Sequence, residues 1–78
     1  MRKYFLHQVK RTNGTIEKGI VVKESFEAAL QSYHAYLGAY GYGNNAQTDY
    51  VFCMITESVS GAVLMQELDD RTGVETEE

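Results

Sequence analysis

The chain has 78 residues, a net charge of −4 and one cysteine. A single cysteine excludes an internal disulfide, and no cysteine and histidine residues share the spacing of a zinc site. Because a domain of this size buries only roughly 60% of the surface of its unfolded chain, we expect a second subunit to contribute to its stability.

The N-terminal sequence lacks the features of an export signal. The segment MRKYFLHQVKR begins with charge and is interrupted by His7, Gln8 and Lys10, so it has no apolar run of the kind found in a signal peptide. No segment approaches the length needed to cross a bilayer. Together with the lone cysteine, these features predict a cytoplasmic protein that does not contact membranes.

A β-hairpin is predicted at the N-terminus. Residues 3–10 alternate loosely and favour a strand, and a second strand is expected over residues 15–23. Between them lies Asn13-Gly14, the dipeptide that best tolerates the positive φ of a tight hairpin turn. Gly19 predicts a bulge or a close backbone approach in the second strand.

A helix is predicted from Ser25, which can cap the first turn, to about Tyr40. Gly41 or Gly43 is expected to end it in the left-handed conformation. One face carries apolar residues at spacings of three and four, namely Phe26, Ala29, Leu30, Tyr33, Leu37 and Tyr40. The far side carries a stripe of small residues, namely Ala28, Ser32, Ala35 and Ala39.

Two more strands are predicted, over residues 49–56 and 62–68. The first is apolar on both alternating faces, as expected for a central strand. The order ββαββ predicts an α+β two-layer sandwich, in which a four-stranded antiparallel sheet carries one helix on one face. We predict a single domain over residues 1–68 and a disordered acidic tail over residues 69–78.

One helix covers only one face of such a sheet, so the other face meets water or a partner. The third strand alternates between two sets of side chains. Val51, Cys53 and Ile55 form the smaller set, which suits packing under the helix. The other set, which we assign to the uncovered face, is Tyr50, Phe52 and Met54. An aromatic and methionine patch in that position predicts an association site.

Tyrosines and glycines are concentrated in residues 33–43, YHAYLGAYGYG. Tyr36 and Tyr42 are predicted to be exposed and available to a partner, because tyrosine is enriched at binding hot spots. Plain packing is the alternative interpretation. The glycines lie at a helix C-terminus, where the helix dipole has the wrong sign for a phosphate-binding loop.

Positive charge is concentrated in the first hairpin. Glu17 is the only acid in residues 1–23, and residues 24–68 contain no lysine or arginine. We call Lys3, Lys10, Arg11 and Lys18 the basic hairpin. This layout is compatible with nucleic-acid contact, with electrostatic pairing between subunits, or with neutralisation inside one chain. The net negative charge disfavours nucleic acid as a partner.

No residues can be nominated as a catalytic acid, base or nucleophile pair. Cys53, His7 and His34 are expected to be structural, and Asp49 with its neighbouring asparagines lacks the spacing of a calcium loop. The sequence therefore predicts a non-enzymatic protein without a cofactor or metal.

Over residues 1–68, the hairpin and the runs FEAALQSYHAYLGAYGYGNN and DYVFCMIT resemble small uncharacterised proteins encoded by phages and mobile elements of gut bacteria. The resemblance implies a phage or mobile-element origin and a host-directed binding role, and it carries over no site residue. Our hypothesis is a protein-interaction module that forms a homodimer through the uncovered sheet face or through the small-residue stripe around Ala35. A different protein is a second kind of partner to consider. The alternative is a phage-type inhibitor or nucleic-acid-associated accessory protein that uses the basic hairpin.

Overall fold

The computed structural model describes residues 2–72. Its elements are, in chain order, β1 (Tyr4–Thr12), β2 (Thr15–Lys23), α1 (Phe26–Tyr40), β3 (Thr48–Glu57) and β4 (Val63–Asp70). The strands form one antiparallel sheet in the order β2-β1-β3-β4. The predicted α+β fold and its ββαββ order are therefore confirmed, and β3 is a central strand as its apolar sequence indicated.

The strand ends differ from the predicted ones by one or two residues. β1 continues to Thr12, and β4 begins at Val63 and continues to Asp70. Asp69 and Asp70, which were assigned to the acidic tail, thus belong to the last strand. Arg71 and Thr72 of that predicted tail are also described, and the part from residue 73 onward lies outside the described residues.

The first hairpin has the tight turn that Asn13-Gly14 predicts. Both residues have positive φ, 53° at Asn13 and 82° at Gly14, as a two-residue turn of type I′ requires. The irregularity predicted at Gly19 is wrong, because Gly19 pairs with Gln8 in an uninterrupted register. A Cβ at Gly19 would meet only the Gln8 side chain, at 4.0 Å.

The helix begins at its predicted cap. Ser25 Oγ accepts a hydrogen bond from the Ala28 N–H at 3.1 Å, which satisfies one of the free donors of the first turn. At the other end, the left-handed conformation was predicted for Gly41 or Gly43. Gly41 does not adopt it, since its φ is −85°, but Gly43 does, with a φ of 82°, as does Tyr42, with a φ of 55°. Gly41 allows a close approach instead: its N–H donates to the Leu37 carbonyl oxygen at 2.8 Å, and a Cβ at this position would also lie 2.8 Å from that oxygen.

The core lies between α1 and the two central strands. Leu6 of β1 is fully buried, and the other buried apolar residues are Val51, Cys53 and Ile55 of β3 with Ala29, Tyr33 and Leu37 of α1. The small aliphatic set of β3 therefore faces the helix. Partly buried side chains from both layers, including Tyr4 and Met65, pack around this cluster.

Two glycines near the end of α1 should respond to alanine in opposite ways. Gly38→Ala should raise the free energy of unfolding by about 0.5–1 kcal/mol, because glycine weakens a helix interior, and no atom lies within 4 Å of the new Cβ. Gly41→Ala should lower it by about 1–3 kcal/mol, because its Cβ would lie 2.8 Å from the Leu37 carbonyl oxygen. Urea unfolding of both variants checks this, and a stabilised Gly41→Ala protein would contradict the close approach.

Candidate interaction surface

The face of the sheet opposite α1 is called the open face. Side chains alternate between the two faces of a strand, so the neighbours of the buried residues Leu6, Val51, Cys53 and Ile55 lie on it. Its members are Phe5, His7, Val9 and Arg11 of β1, Ile16, Lys18, Ile20 and Val22 of β2, Tyr50, Phe52, Met54 and Thr56 of β3, and Val63, Gln66, Leu68 and Asp70 of β4.

The strand register arranges these side chains in four rows across the sheet. The two inner rows are Lys18-Val9-Phe52-Leu68 and Ile20-His7-Met54-Gln66, read from β2 to β4. The outer row at the turn of the first hairpin is Ile16-Arg11-Tyr50-Asp70, and the outer row at the opposite end is Val22-Phe5-Thr56-Val63. Apolar side chains therefore neighbour one another both along the strands and across them.

Large aliphatic side chains of the open face are accessible to solvent. Ile20 is 61% exposed on β2, and Leu68 is 55% exposed on β4. Between these edges, Val9 and Phe52 on the central strands are half-buried. Exposed apolar patches of this kind are candidates for interaction sites.

His7 lies within this apolar surface. Its Nε2 is 3.1 Å from Thr56 Oγ1, in a hydrogen bond whose direction depends on the tautomer of the ring. Its direct neighbours across the strands are Ile20 and Met54. The hydrogen bond satisfies one ring nitrogen, which lowers the cost of covering this part of the face.

The structure brings together only some of the predicted interface residues. Tyr50, Phe52 and Met54 lie side by side on the open face. Ala35 is exposed on α1, which packs against the other face of the sheet. Tyr36, predicted to be exposed, instead packs against the core cluster, and burial raises its pKa to about 12.

Tyr42 is exposed, as predicted. It lies on the helix side of the sheet, where its hydrogen bonds connect the loop after α1 to β4. Its N–H donates to Asp69 Oδ2 at 2.6 Å, and its hydroxyl donates to Glu67. The hydrogen bond to Glu67 is the main cause that raises the pKa of Tyr42 to about 12. A groove of about 340 Å³ lies beside it, between α1 and β4.

Arg71 contacts Asp69, the residue that binds the Tyr42 N–H. Its role was not recognised from the sequence, because Arg71 lies in the predicted tail. Its Nε donates to Asp69 Oδ2 at 3.0 Å, and its Nη2 donates to the Thr48 carbonyl oxygen at 2.8 Å. The arginine therefore connects the end of β4 to the start of β3.

Most of the basic hairpin is neutralised by acids of the same chain. Lys3 pairs with Glu24 at 2.6 Å, Arg11 lies 3.6 Å from Asp49, and Lys10 pairs with Glu17. Lys18 makes no ion pair within residues 2–72. It is therefore the cation of the basic hairpin that the open face presents without a partner.

Glu57 is a second polar site that sequence reasoning missed. Its buried carboxylate accepts hydrogen bonds from the Ser60 hydroxyl at 2.6 Å and from the N–H groups of Val59 and Ser60, and it pairs with Arg2 at 2.8 Å. These partners, the Ser60 hydroxyl first, lower the pKa of Glu57 to about 2. These hydrogen bonds stabilise the turn between β3 and β4.

The residues that the structure describes hold neither a reactive thiol nor a metal-binding group. Burial raises the pKa of the Cys53 thiol to about 11, which keeps it in the unreactive thiol form. Over residues 2–72, histidine, cysteine and acidic side chains form no group of three or more that could bind a metal ion. In the same range, no helix combines the length and the apolar character of a membrane span.

Searches against protein-family models, curated protein sequences and solved structures found no match.

Glu57→Gln should reduce stability at neutral pH and make stability less sensitive to acid. The pKa of Glu57 is lowered in the folded chain, so its stabilisation is complete above the pKa of the unfolded chain and is lost as pH falls toward 2. Urea midpoints of wild type and variant should therefore converge between about pH 5 and pH 2. Glu24→Gln, at an exposed ion pair, is the control. A constant difference between wild type and Glu57→Gln would contradict this role.

Proposed function

We propose that this protein is a non-enzymatic interaction module whose open face is covered by a second copy of the same chain. The observation that carries the proposal is the group of neighbouring apolar side chains that crosses that face, with Ile20 and Leu68 more than half exposed at its two edges. Water contact with this surface is unfavourable, and a second copy offers an equally apolar surface.

The size of the open face supports a dimer. Four strands about 4.8 Å apart and four rows about 6.8 Å apart span roughly 19 by 27 Å, or about 500 Å². Two such faces would bury about 1,000 Å², the area at which a specific interface becomes plausible. Two sheets pack face to face about 10 Å apart, with their side chains interdigitated. The dimer would then have four layers, with helices outside and sheets inside.

The outer surface of α1 is a weaker candidate for the contact. Ala35 and Ala39 are exposed there, but their small side chains remove little apolar area from water when they are covered. His34 and Gln31 are exposed beside them and would need polar partners in a dry interface. The open face also carries polar side chains, but it offers larger apolar ones, such as Ile20 and Leu68.

The basic hairpin does not favour nucleic acid as the partner. Lys3, Lys10 and Arg11 already pair with carboxylates of the same chain, which reduces the positive potential available to phosphates. As part of the same proposal, the module acts in the cytoplasm, as a single cysteine favours. A phage or mobile-element origin, implied by the sequence resemblance, would suit a small self-associating binding module.

Phe52→Asp should dissociate the dimer, because it places an unpaired carboxylate in the middle of the buried surface. Burial of such a charge without a partner should weaken association by about 100-fold or more. Molar mass from size-exclusion chromatography with light scattering, at low and high salt, measures the effect. Ile20→Asp provides a second variant at an exposed position, where the folded monomer tolerates a charge.

Ala35→Glu is the matched control, since it adds a carboxylate to the helix surface on the other side of the molecule. It should remain dimeric. A dimer that survives both Phe52→Asp and Ile20→Asp but is lost in Ala35→Glu would overturn the open-face proposal in favour of the helix. If the wild-type protein is a monomer at high concentration, a second copy does not cover the open face, and the partner would be a different protein.

A further inference from the structure

The charges of the open face lie at one end of it. Arg11 and Asp70 occupy the outer row nearest the turn of the first hairpin, and Lys18 occupies the next row. The outer row at the opposite end is uncharged and consists of Val22, Phe5, Thr56 and Val63. This asymmetry restricts how two copies can stack.

A symmetric dimer with stacked sheets has two simple orientations. The two copies of a homodimer are related by a two-fold axis. When two sheets stack in the aligned manner, their strands lie within about 30° of each other. The axis therefore runs either across the strands or along them. An axis across the strands places β2 on β2 and reverses the order of the rows. An axis along the strands places β2 on β4 and keeps each row opposite itself.

The crosswise orientation is unfavourable for the charged side chains. It would place Arg11 against Phe5 of the second copy and Asp70 against its Val63. Arg11 would keep its contact with Asp49 and Asp70 its hydrogen bonds from Thr72, but both charges would lose water and gain no partner from the second copy, which is unfavourable. It would also bring the two Lys18 side chains of the dimer into adjacent rows at the same edge.

The lengthwise orientation brings Lys18 close to a group of opposite charge. Lys18 would lie opposite Leu68 of the second copy, with Asp70 one row away on the same strand. Asp70 itself would lie opposite Ile16, at the edge of the interface. The distance between rows on one strand is about 6.8 Å, which a lysine side chain can span. Arg11 would lie opposite the Tyr50 ring, an arrangement that favours a cation–π contact. Apolar contact continues in the centre, where Val9 would face Phe52.

We infer that the dimer forms in the lengthwise orientation, with Lys18 of each copy paired with Asp70 of the other. The inference rests on the proposed function, since it assumes that the open faces meet. Lys18 makes no ion pair within residues 2–72. Asp70 accepts hydrogen bonds from the N–H and the hydroxyl of Thr72 at 3.0 and 2.7 Å, which fix the carboxylate for a partner. His7 faces an inner row of the second copy in both orientations, so it does not favour one orientation over the other.

Lys18 and Asp70 cannot pair within one copy. They lie on β2 and β4, the two edge strands of the sheet, which are three strand spacings or about 14 Å apart. Any coupling between them therefore reports a contact between two copies. Reversal of either charge should weaken the dimer, and reversal of both should restore it.

The experiment measures dimer dissociation constants by sedimentation equilibrium. Lys18→Glu and Asp70→Lys should each weaken the dimer by about tenfold, since each places like charges opposite one another at both ends of the interface. The double variant should regain most of the wild-type affinity. An equimolar mixture of the two single variants should also associate strongly, because a mixed dimer has an acid opposite a base at both positions.

Lys23→Glu is the control for net charge. Lys23 is also on β2, but it pairs with Tyr4 on the helix side of the sheet, so its reversal should leave the affinity unchanged. Additive losses in the double variant, with no association of the mixed single variants, would overturn the lengthwise orientation. If Phe52→Asp still dissociates the protein in that case, the open-face dimer itself stands. If neither Phe52→Asp nor the charge variants affect the dimer, both proposals fail.

Discussion

The structure depends on the burial of one face of β3 under a single helix. Val51, Cys53 and Ile55 are fully buried, and they contact the only layer that residues 2–72 provide above the sheet. A helix of 15 residues is about 22 Å long and covers one face. All the large side chains that alternate with the buried set must therefore lie on the other face, where the described residues provide no covering layer.

Polar contacts at both ends of β3 keep that open face in a fixed shape. At its start, the Thr48 hydroxyl is fully buried and lies 2.9 Å from that of Thr12, and Arg71 donates to the Thr48 carbonyl oxygen. At its end, Glu57 holds the following turn. A sheet fixed in this way would lose little conformational entropy on covering by a partner, so more of the gain from apolar burial would be retained in the affinity.

The sequence was sufficient for the fold because its local signals agree. Ser25 caps the helix, Asn13-Gly14 turns the hairpin, and β3 alternates between two apolar sets. The errors arose where distant contacts decide the outcome. Tyr36 lies on the predicted exposed side of the helix, yet the sheet is wide enough for it to pack against the core. Arg71 follows an acidic strand, and only the fold shows that its guanidinium reaches Thr48.

The proposed association through the open face, rather than through a strand edge, agrees with how the edges are built. Edge strands invite pairing with another chain unless charges or bulges oppose it. β4 carries Glu67, Asp69 and Asp70, and its register with β3 shifts between Ile55 and Thr56. β2 carries Glu17, Lys18 and Lys23 along its length. Addition of a strand at either edge would bring charges close to a new neighbour, whereas stacking of the open faces brings apolar side chains together and leaves the edge charges at the rim.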